Sequence, residues 1–117
     1  MPDSPNGDVP VNLVDMSRLE SLRALVDQSP ENSRFRFMLC MELIGTGDPA
    51  GAVREFDELV RLDPDYVAGY FQAGRTSESL GNTDAARTYY TRGLEAARRV
   101  GDKHAESELS DALDMLG

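Results

Sequence analysis

Apolar positions recur at helical spacing along almost the whole chain, and no segment keeps the period-two alternation of a strand between turn residues. The spacing predicts six helices. Over 14–28, Leu19, Leu22, Leu25 and Val26 share one face. Ser29-Pro30 ends that helix, because proline cannot continue it and disfavours the α region for its predecessor. Segment 33–44 is apolar nearly all round, from Phe35 through Phe37, Met38, Leu39, Cys40, Met41 and Leu43 to Ile44. A helix of that kind needs cover on more than one side, which places it in the middle of the fold. Gly45 and Gly47 stop it, Asp48 offers an N-cap, and Pro49 suits the first helical position.

Helix 49–62 carries Ala52, Val53, Phe56, Leu59 and Val60 as a 3.6-period stripe and stops at Asp63-Pro64. Helix 65–80 turns Tyr66, Tyr70, Ala73 and Leu80 inward and stops at Gly81-Asn82. Helix 83–100 buries Ala86, Tyr90, Leu94 and Ala97, with Gly101 as its stop. The last helix, 103–116, sets Ala105, Leu109, Ala112, Leu113 and Leu116 opposite Glu106, Ser110, Asp111 and Asp114. Turns of a few residues between helices of this length favour antiparallel neighbours. Residues 1–12 hold three prolines, Gly7 and little apolar material, and are expected to be a disordered leader to one helical domain over 13–117.

The pattern repeats. GDPAGAVREF at 47–56 and GNTDAARTYY at 81–90 share a skeleton: Gly47 and Gly81, Ala52 and Ala86, Phe56 and Tyr90, each 34 positions apart. Pro30 precedes Pro64 by the same 34. A helix pair repeating at this period resembles the tetratricopeptide repeat, whose motif sets an aromatic and small residues on the first helix, then Ala, an aromatic and Pro on the second. In the first unit, 33–66, Leu39, Ala52, Phe56 and Pro64 match, while Arg36 stands at the aromatic position and Cys40 at a small-residue position. In the second, 67–100, Tyr70, Gly74, Ala86 and Tyr90 match, while Ala73, Gly93 and Arg98 replace the usual Leu, Ala and Pro. Segment 13–32 then reads as a leading half repeat and 101–117 as a capping helix. In that last helix the apolar stripe falls one residue later than the family register, which an added residue near 100–102 would explain. A solenoid end needs one apolar and one polar face, which this helix has. The resemblance implies an all-α fold: a right-handed superhelical stack of antiparallel helix pairs.

Composition narrows the function. With 21 acidic and 12 basic side chains the net charge is −9, which argues against nucleic acid and anionic membrane surfaces as partners. No stretch approaches the ~20 apolar residues of a membrane span. The single Cys40 makes no internal disulfide, and the expectation is a soluble cytoplasmic domain. The chemistry is sparse. His104 is the only histidine, Cys40 occupies a packing position, and one of each falls short of a zinc site. GTGDPAG lacks the lysine of a phosphate-binding loop and follows a helix, not a strand. No active site and no cofactor are expected.

The resemblance implies instead that the first helices of the units line a concave groove for a peptide or protein segment. The matching positions are Arg34, Phe37, Met41 and Ile44, then Ala68, Phe71, Arg75 and Glu78, each set on one helix face. Phe37 and Phe71 are period-equivalent, and the core motif needs neither; both could equally pack on neighbouring helices. Some members of the family hold a partner's terminal carboxylate with Lys and Asn. The matching positions here are Phe37, Met41, Gln72, Asp102 and Glu106, none of them Lys or Asn, so that mode is expected to be absent. Two functions remain in view: an adaptor that binds through the groove, and a structural subunit that pairs with its own copies or sits in a larger assembly.

Overall fold

The computed structural model describes the backbone of residues 11–117 and the side chains of 18–117. Six helices follow in order: α1 (Val11–Gln28), α2 (Ser33–Gly45), α3 (Pro49–Leu62), α4 (Val67–Ser79), α5 (Thr83–Val100) and α6 (Lys103–Leu116). Among the described residues there is no strand. Each helix packs on the next, and α4 also reaches α6. The fold is a right-handed superhelical stack of antiparallel helix pairs, 59 Å long and 29 by 21 Å across. Of the leader expected over 1–12, residues 11 and 12 belong to α1, and the rest lies outside the described residues.

The recurring turn skeleton has a physical reason. Gly47 and Gly81 adopt φ of 88° and 78°, the left-handed region that ends a helix without a Cβ penalty. The next N–H, of Asp48 or Asn82, donates to the carbonyl of Leu43 or Ser77 at 2.8 and 2.9 Å. The same two residues then cap the following helix, their side-chain oxygens accepting from the N–H of Gly51 and Ala85 at 2.9 and 3.1 Å. One short segment thus closes one helix and opens the next.

The turns between units are built on proline. At the second, the Tyr70 hydroxyl donates to the Pro64 carbonyl at 2.8 Å. At the first, the residue standing in for the aromatic plays the same part. Arg36 Nη2 donates to the Pro30 carbonyl at 3.3 Å, while Nη1 pairs with Glu55 at 2.9 Å. Burial of Arg36 is tolerable because its charge is paired. The third turn has no proline. With Arg98 in that place, α5 runs on to Val100, four residues past the equivalent of Leu62, and α6 starts two residues past the equivalent of Val67. That longer helix is why the stripe of α6 falls on Ala105, Leu109 and Ala112.

The core follows the motif. Leu39, Ala52, Phe56, Tyr70, Ala73, Ala86 and Tyr90 are all buried, and Leu109 closes the far end of the stack. Two details differ from expectation. Leu80 is exposed, because it follows the last turn of α4 as its C-cap and lies in the turn region. The cover over α2 is also incomplete: α1 and α3 pack on it, but Met38 and Met41 stay 43% and 38% exposed.

Candidate functional site

The positions expected to line the groove fall into two groups. On α2, Phe37 is partly buried, its ring centroid 5.4 Å from Tyr66 and 6.2 Å from Phe56. Tyr66 is the residue just before α4, so Phe37 packs against the turn that leads into the second unit. Arg34, exposed in the first turn, lies near enough to oppose the rise that burial imposes on the Tyr66 phenol. Met41 is exposed and Ile44 partly so.

On α4, Phe71 is partly buried with its ring 6.1 Å from Tyr90, and the exposed Arg75 guanidinium lies 5.9 Å from the Phe71 centroid. Glu78 accepts a hydrogen bond from the Tyr90 hydroxyl. Burial, and then that bond, hold the Tyr90 phenol well above its usual range. Glu78 therefore serves the interior as well as the surface. The sequence carries a sign of this: the period-equivalent pair in the first unit is Ile44 and Phe56, apolar at both places. Acid and hydroxyl enter together.

Ala68 and Phe71 also line a pocket of about 320 Å³ between α4 and α6, with Val67, Gln72, Asp102, His104, Ala105, Glu108 and Leu109. None of the α2 positions reaches this pocket. Phe37 belongs with Tyr66, and Phe71 with α6. The longer α5 also changes which acid faces it. Glu106 accepts a hydrogen bond from Arg98 at 3.1 Å and lies 3.5 Å from the Lys103 ammonium, and the Arg98 bond holds its carboxyl below the usual range. Glu108 lines the pocket instead, and the family register does not select it.

The remaining reactive groups have structural surroundings. Cys40 is fully buried, and burial with the neighbouring Glu55 pushes its thiol up to about 12, far from a thiolate at neutral pH. His104 is exposed, 3.7 Å from Glu108. Among the described residues no three His, Cys, Asp or Glu gather as metal ligands, and no helix is long and apolar enough to cross a membrane.

Antiparallel helix pairs stacked at a 34-residue period define a helical-repeat protein. The tetratricopeptide repeat pattern matches residues 67–99. A TPR repeat-containing protein of Pseudomonas aeruginosa is 31% identical over 98 residues, 84% of this chain and 93% of that one. The solution structure of a tetratricopeptide repeat domain protein from Salinibacter ruber superposes with a TM-score of 0.71 at 38% identity, covering 75% of this chain and 89% of its own. The type III secretion chaperone SycD of Yersinia enterocolitica, solved with a peptide of the translocator YopD, shares the fold at a TM-score of 0.77 and 17% identity, covering 90% of this chain and 81% of its own. The chain belongs to the tetratricopeptide repeat family.

Proposed function

We propose that this protein is a non-catalytic interaction module of the cytoplasm that holds a peptide or protein segment on the concave face of α2, α4 and α6. The observation that carries the reading is the pair of partly exposed aromatics, Phe37 and Phe71, at equivalent places on α2 and α4. Each ring is anchored from behind, by Tyr66 and Phe56 or by Tyr90, so it offers apolar surface at little entropic cost. Met41 and Ile44 extend the apolar surface, and Arg34, Arg75 and Glu78 supply charges that would fix a segment's direction. The peptide held by SycD supports the reading by analogy of fold.

Phe71→Ala tests it. Against a partner segment identified with the purified protein, the variant is expected to lose more than about 1 kcal/mol of affinity, as a partly buried aromatic anchor would. Thermal unfolding and helix content are measured alongside, because Phe71 also packs on Tyr90. Unchanged affinity in a folded variant rules the face out. A mass that doubles with concentration, together with no segment bound, would favour the structural subunit.

A further inference from the structure

The pocket between α4 and α6 differs in charge from the α2 end of the same face. Its floor is apolar, built on Phe71, Ala105 and Leu109, and Asp102, His104 and Glu108 stand among its lining residues. No lysine or arginine lines it. Of the cations just before and after Asp102, Arg98 and Lys103 are held by Glu106 beside a different pocket, and Arg99 is paired with Asp65. One oxygen of Asp102 caps the Ala105 N–H at 3.0 Å, and His104 sits 3.7 Å from Glu108. Apolar surface beneath carboxylates suits a side chain with a long apolar stem and a cationic tip. The volume, about 320 Å³, is at the small end for ligand sites and suits one such side chain. Phe71 already attracts one cation, Arg75, which does not line the pocket.

Resting on the groove reading above, we propose that this pocket takes a lysine or arginine side chain of the bound segment, its stem over Phe71 and its tip by Asp102 and Glu108. Segments that bind here are then basic at the α6 end, and the net charge of −9 steers them in.

The test uses three short blocked peptides with the same alanine–leucine host and a central lysine, norleucine or glutamate, titrated against the whole chain by amide NMR. The lysine peptide is expected to bind about tenfold more tightly than the norleucine peptide, as a close charge pair allows, with the glutamate peptide weakest. Shifts should map to Phe71, Ala105 and Glu108. The preference should shrink to about twofold in Glu108→Gln, and also near 1 M salt, where the screening length is about 3 Å. Equal binding of lysine and norleucine peptides with shifts at Phe71 and Ala105 overturns this inference and leaves the groove standing. A lysine preference mapped to Asp111 and Asp114, away from the pocket, also overturns it. Shifts confined to α3 and α5, or none with any peptide, overturn both.

Discussion

Phe56→Ala is expected to lower the unfolding free energy by about 3–5 kcal/mol, the range for a fully buried phenylalanine cut back to its Cβ. Phe56 is 0% exposed and fills the space between the helices of the first unit, its ring also backing Phe37. A domain of this size holds only about 5–15 kcal/mol in total, so much of its margin disappears. Urea unfolding checks it: the midpoint should fall with the slope unchanged, whereas Phe56→Leu, which keeps most of the volume, should lose under about 1.5 kcal/mol. Tyr90→Ala in the second unit should behave like Phe56→Ala, since its ring is 1% exposed and its hydroxyl bonds Glu78. Losses below about 1 kcal/mol at both positions would mean that the aromatic positions of the repeat are misplaced.

Gly74→Val is the second large effect. A Cβ on Gly74 would stand 2.3 Å from a ring carbon of Tyr90, closer than real contacts allow. The ring has little room to retreat, because Phe71 packs on it and Glu78 holds its hydroxyl. Overpacking of this kind costs about 1–3 kcal/mol, and valine belongs at the upper end because it adds a branch as well as a Cβ. Gly74→Ala gives a sharper check, because its sign depends on the ring. In the native background the clash should exceed the roughly 0.8–1 kcal/mol that alanine gains over glycine inside a helix. With Tyr90→Leu in place the same substitution should stabilise. Stabilisation in the native background would show that helix and ring do not meet this closely.

Much of the fold is legible in the sequence because repeats make the same demand twice. Gly47 and Gly81 both need a left-handed turn, and Asp48 and Asn82 both cap the helix that follows, so the 34-residue recurrence places the turns and the helix pairs. Burial at Ala52, Ala86, Phe56 and Tyr90 follows from that register. What the sequence hides lies where a residue acts through a partner far along the chain. Arg36 reads as a departure from the motif, yet its guanidinium reaches the turn at Pro30 as the Tyr70 hydroxyl reaches the turn at Pro64. That exchange needs Glu55, 19 residues on, to balance the charge. Glu78 reads as a charge lining the groove, and only its bond to Tyr90 ties it to the interior. The pocket against α6 is obscured by the missing proline at Arg98, which lengthens α5 and brings Glu108, not Glu106, to the α4 side. The partly exposed state of Phe37 and Phe71 is not decidable from spacing, because the same face both packs and faces outward.

The central claim is that a partner segment lies on the face of α2 and α4. Photo-crosslinking tests it most directly, with benzoylphenylalanine placed singly at Met41 and Phe71 on that face, and at the exposed Arg54 and Arg87 on α3 and α5. On irradiation in cells that express the protein, Met41 and Phe71 should each yield an adduct with a second, different protein, and Arg54 and Arg87 should yield none. Adducts from Arg54 and Arg87 alone, or adducts made only of two copies of this chain, would contradict it.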